Sequence, residues 1–450
     1  MFVWLPWAAV ALARPPAPQA FCGTYPDTPP CTAGTLSCDL CHTAPPTLGP
    51  YGGDLADAFG APTTSDADFV ARLPVALRDV ESLDSDGDGR TNAEEIEVGS
   101  RPGTPDDDPA DDRSYDPGFA LRRVSIDVCG RSPTPAEREA VRAAADPEDH
   151  VVERLRACLD SDHWLGVDGV LWTLAAPKIR PREPFAQSIA RVYERDYNLF
   201  VWTQTDDRDA RELLTADYQV SRTEDSPPTY QRRPLTGPQA PDPSTRAGML
   251  TTSWFHSSNT MGQALPRVTA AEAYRAYLGY ELSVPEGLFA PPGPFVDYDG
   301  KGVDHPDCID CHRTLDPLAY LFARYVGAGE NRFFPDAEPP VPPSSHFYPE
   351  RLEQFVGFDG GPGLLDVPTT GALFGEPGYT LVTWAEAAAD SETFARTVVL
   401  DYWRHFVGHP PGATEAAEFE AIWRGFVTTD DYRVESMLEA LVTTEAYGAP

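Results

Sequence analysis

The chain has 450 residues, with 35 lysines and arginines against 70 aspartates and glutamates, and so a formal net charge of −35 at pH 7. Nucleic acids and anionic membrane surfaces are themselves polyanions, so neither is expected as a partner. The length predicts about two to three domains. With 41 % hydrophobic residues the chain can build buried cores, and 47 prolines with 35 glycines predict many irregular loops.

The chain opens with an apolar run from Phe2 to Ala13, whose end, Ala11-Leu12-Ala13, is a small-x-small cleavage pattern; a weaker cleavage pattern ends at Ala20. Because the run is shorter than the ~20 residues that span a bilayer, it predicts a secretory signal peptide over residues 1–20. No later segment predicts a membrane span, and the expected location is periplasmic or extracellular. Disulfides are expected there, with Cys22–Cys31 and Cys129–Cys158 as the obvious pairings among those possible.

Two copies of the pentad Cys-x-x-Cys-His follow, one from Cys38 to His42 and one from Cys308 to His312. Two thiols at this spacing can add to the vinyl groups of a porphyrin, and the next residue then places an imidazole under the iron, as in c-type haem. Zinc would need a second ligand pair near each pentad, so a zinc site or a disulfide is the weaker alternative. The predicted attachment residues of two haems c are Cys38, Cys41, His42, Cys308, Cys311 and His312.

The stretch from Asp84 to Glu95 matches the twelve-residue calcium loop, and Gly89 falls where that loop turns sharply. The predicted ligands are the side chains of Asp84, Asp86, Asp88, Asn92 and Glu95 and the backbone carbonyl of Arg90. Because adjacent carboxylates repel one another without a cation, the pattern predicts a structural Ca²⁺; a disordered acidic turn is the alternative. The residues that follow, through Asp108, resemble the Asp-rich calcium repeats of thrombospondin type 3.

The first domain is predicted to span residues 21–105, with a short helix over Asp66–Leu73, and an acidic linker over 106–117 follows it. The domain resembles small haem-plus-calcium modules in exported proteins of myxobacteria and their relatives. From Thr43 to Pro105 it contains no His, Met, Lys or Cys, the usual sixth ligands of haem c. The iron on His42 is therefore expected to be five-coordinate, to carry water, or to take a ligand from elsewhere.

Residues 118–450 predict a helical domain, so the expected fold class is mainly α. Thr134–Glu137 is a capping box that begins a helix, and spacing of three and four places Met437 in the core of a closing helical subregion, about 386–450. A further helix is predicted to start at Asp316. Two segments rich in Pro and Gly are predicted to be exposed loops, 226–246 and 335–363.

Several blocks of this domain resemble, in the same order, the large cytochrome-c-like proteins of unknown function that are abundant in planctomycetes. The blocks are Leu121–Val128, Glu212–Tyr218, Arg246–Thr251, Cys311–Leu318 and Trp403–Gly408. The resemblance covers most of residues 118–450. It implies a helical architecture around a second haem and implies no particular reaction.

The resemblance also implies candidates for the sixth ligand of the second haem. The family places a segment rich in Ser, Thr and Asn near its haem motif, and here that segment contains Met261 and His256. Met261 is the first candidate and His256 the second, while a packing role is the alternative for each. Arg267 is a candidate to pair with a haem propionate, with an ordinary salt bridge as the alternative.

Electron transfer between periplasmic redox proteins is the function that these motifs favour, and a redox protein partner is expected. The first alternative is a haem oxidoreductase of peroxidase type that uses open coordination at the first iron. The second is a secreted scaffold or sensor that binds haem and calcium. The sequence assigns no catalytic residue.

Overall fold

The computed structural model describes residues 17–26, 28, 31, 36, 40–44, 47–60, 66–105, 114–180, 193–235, 242–260, 263–282, 289–327, 347–356, 363–412 and 414–450. The chain divides into a first unit, residues 1–113 with 411–419, and a second unit, residues 114–410 with 420–450. Helices make up 56 % of the structure and strands are few and short, which confirms the predicted mainly α class.

The first unit contains four of the described helices and one hairpin. The helices are α1 (Ala17–Thr24), α2 (Pro50–Phe59), α3 (Asp66–Asp79) and α4 (Asn92–Val98). The hairpin pairs β1 (His42–Ala44) with β2 (Thr47–Leu48). Helix α3 runs past Pro74, beyond the predicted end at Leu73. The small apolar core of this unit contains Phe21, Leu40, Tyr51, Leu55, Leu73, Ala76, Leu77, Val80 and Ile96.

Helices dominate the second unit as well. Its helices in the first half are α5 (Pro117–Asp127), α6 (Pro135–Ala143), α7 (Pro147–Arg156), α8 (Asp162–Leu165), α9 (Val170–Ile179), α10 (Glu194–Thr203) and α11 (Glu212–Thr215). The later helices are α12 (Ser253–Thr260), α13 (Arg267–Leu278), α14 (Pro306–Phe322), α15 (Leu381–Ala389), α16 (Glu392–Phe406), α17 (Ala416–Thr428, which crosses the unit boundary), α18 (Val434–Val442) and α19 (Glu445–Gly448). Two antiparallel hairpins join β3 (Gln219–Arg222) to β4 (Tyr230–Arg233) and β5 (Gly371–Leu373) to β6 (Glu376–Tyr379).

Several local predictions are confirmed in this unit. The side chain of Thr134 accepts the backbone N–H of Glu137, whose carboxylate accepts in return, so the capping box forms at the start of α6. Met437 is 0 % exposed, within the core as its spacing predicts. Both obvious disulfides, Cys22–Cys31 and Cys129–Cys158, are present.

Two predictions are wrong. The helix expected to start at Asp316 begins at Pro306, where His305 caps it by accepting the Asp307 N–H. Proline suits the first turn of a helix, and the sequence offers this signal at 306 as well as at 317. The second segment predicted as an exposed loop, 335–363, contains a 3₁₀ helix, Pro349–Phe355, which buries Leu352 and Phe355. Apolar burial therefore outweighs the local Pro and Gly content there.

None of the described helices is both long enough and apolar enough to cross a bilayer.

Candidate haem and calcium sites

The first Cys-x-x-Cys-His motif, predicted to attach haem, lies against the start of α2. The Cys41 carbonyl accepts a hydrogen bond from the Gly49 N–H at 2.9 Å. A β-carbon added at Gly52 would lie 2.0 Å from that carbonyl oxygen, whereas one added at the next residue, Gly53, would meet nothing within 4 Å. Glycine at position 52 therefore lets the helix approach the backbone of the motif closely.

The side chains of this motif are partly buried. Cys41 packs against the core of the first unit, and Cys38 lies outside the described residues. His42 begins β1, and its Nδ1 is buried without a hydrogen-bond partner among the described residues. The nearby Tyr51 is 0 % exposed, and its hydroxyl likewise has no partner there. Burial, followed by the Cys41 thiol, raises the Tyr51 pKa. Buried polar atoms usually have hydrogen-bond partners, and for these two atoms the described residues supply none.

The predicted calcium loop connects α3 to α4, and hydrogen bonds from its own backbone N–H groups to the Asp84 side chain hold its conformation. Asp84 accepts the N–H groups of Gly87 at 2.7 Å and of Gly89 at 3.0 Å. Gly89 has a φ of +103°, which confirms the turn predicted for a glycine. Single ligand atoms of Asp84, Asp86 and Asp88 lie within 4.8 Å of one another. Burial, and then the charges of Asp88 and Asp84, raise the Asp86 pKa against the lowering effect of the Asp88 N–H. A divalent cation would neutralise this crowding.

Asn92 and Glu95 lie on α4 and are buried, at 0 % and 1 % exposure. The Asn92 side-chain amide donates to the Val80 carbonyl at 2.8 Å and accepts the Ser85 N–H at 3.2 Å. Asn92 therefore joins the start of α4 to the beginning of the loop. Glu95 supplies a buried carboxylate at the position where calcium loops use a bidentate ligand. Asp54 of α2 accepts the Ser85 hydroxyl at 2.6 Å. The loop is thus fastened to the helix that carries Gly52.

The second Cys-x-x-Cys-His motif, also predicted to attach haem, lies in the first turns of α14. Cys308 and Cys311 are half-buried and form no disulfide. Residues three and four apart share a helix face, so the two thiols and the His312 imidazole project from the same side. Burial, then the charges of Asp310 and Cys308, raise the Cys311 pKa. Two unpaired thiols beside an imidazole on one face are the donor set that c-type haem attachment requires.

His312 is held by a buried network of charges. Its Nδ1 lies 2.8 Å from Asp316 Oδ1, and the Asp316 side chain is 0 % exposed. Arg267 donates to both Asp316 oxygens, each at 2.9 Å, and to Asp299 at 2.7 and 2.9 Å. Burial lowers the Arg267 pKa, but its hydrogen bonds to Asp299 and Asp316 outweigh this and raise it. Nε2 of His312 has no partner among the described residues and is available to a metal.

Arg267 thus donates four of its five N–H groups to aspartates. The structure therefore shows the salt bridge that was the alternative to the predicted contact with a haem propionate. Asp316 and Asp299 were not identified from the sequence. The spacing of His312 and Asp316, four residues apart on a helix, carried a usable signal, but the helix was predicted to start too late. Asp299 gave no local signal.

The structure does not bring His256 next to His312. The His256 ring stacks on Tyr325 at 5.5 Å between centroids and meets Phe322 edge-on at 5.4 Å. At 1.5 Å per residue, Phe322 lies about 15 Å beyond His312 along α14. Neither ring nitrogen of His256 has a well-formed hydrogen bond among the described residues. Burial, then the Arg351 charge, lower the His256 pKa to about 3. Met261 lies outside the described residues.

Comparisons of this chain with protein-family models, with curated proteins and with solved structures each found no significant match.

Proposed function

We propose that this chain is an exported c-type cytochrome that carries two covalent haems and a structural Ca²⁺ and transfers electrons between redox proteins outside the cytoplasm. Haem bound at such sites supplies a one-electron Fe(III)/Fe(II) couple. Cys38, Cys41 and His42 would hold one haem, and Cys308, Cys311 and His312 the other.

One observation carries the proposal. Cys308 and Cys311 are not in a disulfide although Cys22–Cys31 and Cys129–Cys158 are. In an oxidising compartment neighbouring thiols tend to be oxidised to disulfides. Thioether bonds to a haem would explain why these two cysteines stand so close without forming one. His312 follows directly on the same helix face, with Nδ1 already bonded and Nε2 available.

Export is supported by the two disulfides, and the position of α1 indicates where a signal peptide would be cleaved. Ala17 and Ala20 pack against the core of the first unit. Signal-peptide cleavage after Ala13 would leave α1 whole, whereas cleavage after Ala20 would remove its first turn. We therefore place cleavage after Ala13.

A structural Ca²⁺ in the loop is supported by three aspartate oxygens within 4.8 Å of one another and by the buried Glu95. The Ser85–Asp54 hydrogen bond would transmit the order of the loop to α2 and hence to the first motif. Calcium would then stabilise the haem site without taking part in electron transfer.

The decisive experiment counts haems by pyridine haemochrome and intact mass, on protein exported from a host that matures c-type cytochromes. We expect two covalent haems per chain. Cys38→Ala/Cys41→Ala and Cys308→Ala/Cys311→Ala should each remove one haem. The control Cys129→Ala/Cys158→Ala also removes two cysteines, here a disulfide of the larger second unit, and should keep both haems. A wild-type chain without haem would overturn the proposal.

Ligand-state spectra separate electron transfer from the oxidoreductase alternative. Two low-spin, six-coordinate irons that ignore carbon monoxide are expected of an electron carrier. A spectral change at the His42 haem with carbon monoxide or peroxide would instead favour the peroxidase-type enzyme. The Cys308→Ala/Cys311→Ala variant isolates that haem for the measurement.

A further inference from the structure

The imidazole that we assign to the second haem has an anionic hydrogen-bond partner. His312 Nδ1 and Asp316 Oδ1 are 2.8 Å apart, and the Asp316 side chain is fully buried. An ionised carboxylate can only accept a hydrogen bond, so the proton of the neutral ring lies on Nδ1. The lone pair then lies on Nε2, the atom that would bind iron.

The Asp316 carboxylate is held in its orientation toward the ring, because Arg267 donates a hydrogen bond to each of its two oxygens. The same guanidinium donates to both oxygens of Asp299, which is 4 % exposed. Two bidentate pairs on one guanidinium fix the plane of each carboxylate. The positive charge of Arg267 also compensates for burying Asp316, since an unpaired buried charge would be costly.

We propose that Asp316 is a positioning residue for the second haem: it fixes the His312 ring with Nε2 toward the iron and stabilises the ferric over the ferrous state. This inference rests on the proposed function, because it needs a haem on His312. Carboxylate partners of metal-bound histidines orient the ring and raise its basicity, and hydrogen bonding around axial ligands tunes the haem potential. A more basic imidazole donates more electron density, which ferric iron accepts more strongly.

Asp299 provides a matched control. It lies in the same cluster, is almost as buried, and binds the same guanidinium, yet it has no hydrogen bond to His312. Asp316→Asn and Asp299→Asn therefore remove the same charge and disturb the same arginine. Only the first weakens the hydrogen bond to the haem ligand.

The test is a spectroelectrochemical titration of the full chain that carries Cys38→Ala/Cys41→Ala, so that only the haem on His312 absorbs. We expect Asp316→Asn to lower the ferric-to-ferrous ratio at a fixed potential about tenfold, equal to about 59 mV for one electron. Asp299→Asn leaves the hydrogen bond to His312 in place and should change the ratio by a clearly smaller factor. Equal shifts in the two variants, or no shift in either, would overturn the inference.

If Asp316→Asn does not accumulate, the same comparison uses Arg267→Gln/Asp316→Asn and Arg267→Gln/Asp299→Asn. Each double variant removes one positive and one negative charge, and each leaves Asp297, 3.9 Å from the Arg267 guanidinium in the wild type, together with one of the other two aspartates. The larger fall in the ferric-to-ferrous ratio is again expected where Asp316 is lost. If the parent chain with Cys38→Ala/Cys41→Ala attaches no haem at Cys308 and Cys311, the haem count shows this before any potential is measured. That result would overturn the proposed function itself.

Discussion

The two Cys-x-x-Cys-His motifs share a pattern and differ in everything around it. The first ends in a short hairpin of a small unit, and its His42 Nδ1 has no partner among the described residues. The second lies on the long helix α14, where a buried aspartate holds His312 Nδ1 and Arg267 holds the aspartate. Under the proposed function, the pentad would supply the residues that attach haem, and the neighbours of the histidine would set the properties of the attached iron.

The supporting cores differ as well. Around the first motif the described apolar core is small, and a disulfide and an acidic loop lie beside it. Small cores gain stability from such additions. The second motif belongs to a unit that fully buries Trp164, Trp254, Trp384 and Trp403. We expect the first unit to depend on haem and calcium far more than the second does.

The largest expected effect tests how closely α2 must approach the first motif. Gly52→Ala places a β-carbon 2.0 Å from the Cys41 carbonyl oxygen, so we expect a loss of about 3 kcal/mol of stability in the first unit. Haem attachment at Cys38 and Cys41 should fall, while the second haem stays. Gly53→Ala, in open space on the same helix, should stabilise by about 0.5–1 kcal/mol. Thermal unfolding with a haem count checks both; equal effects would contradict the packing argument.

Removal of calcium should lower the stability of the first unit and leave the stability of the second unit unchanged. At free Ca²⁺ of 100 times Kd, binding stabilises the first unit by about 2.7 kcal/mol. Glu95→Gln should weaken Ca²⁺ affinity at least about tenfold. The control Glu97→Gln alters an exposed glutamate on the same helix and should bind normally. Calorimetric titration of Ca²⁺ and unfolding with and without chelator measure these effects. A chelator that destabilised the second unit equally would contradict the assignment.

His256 tests whether the aromatic pocket near the end of α14 belongs to the haem site. Its pKa of about 3 lies below the ordinary 6.5, so the unfolded chain binds this proton first and stability is lost as pH falls from 6.5 toward 3. In the middle of this window, where the unfolded histidine is protonated and the folded one is not, the loss approaches about 1.4 kcal/mol per pH unit.

His256→Phe keeps the ring contacts and should remove that dependence while leaving the spectrum of the second haem unchanged. His150→Phe, at an exposed histidine, should keep the wild-type slope. Denaturant titrations at several pH values provide the measurement. A changed haem spectrum in His256→Phe would instead identify His256 as an iron ligand.

The smallest expected effect compares two identical capping boxes. Thr91→Ala removes the cap of α4, and Thr134→Ala removes the cap of α6. Each should cost about 1 kcal/mol of helix stability. Because α4 carries Glu95, Thr91→Ala should also lower Ca²⁺ affinity about fivefold. Thr134→Ala should leave the affinity unchanged, and an unchanged affinity in Thr91→Ala as well would show that α4 is not part of the site.

Some features were predictable because their residues are close in the chain. The capping box at Thr134, the turn at Gly89 and the core position of Met437 follow from spacing and backbone preference alone. The start of α14 was missed because proline gives the same signal at 306 and 317. That error concealed the pairing of His312 with Asp316. Burial of Leu352 and Phe355 was missed because their core partners come from other segments.

The sequence by itself determined where donors stand at the short fixed spacings from which we predict haem attachment and calcium binding. The tertiary structure decided what surrounds them. Arg267 lies 49 residues from Asp316, and Asp54 lies 31 residues from Ser85. Contacts over such separations leave no local pattern, because they form only after the chain has closed a loop and buried the partners together. The environment of each motif histidine is therefore a property of the fold.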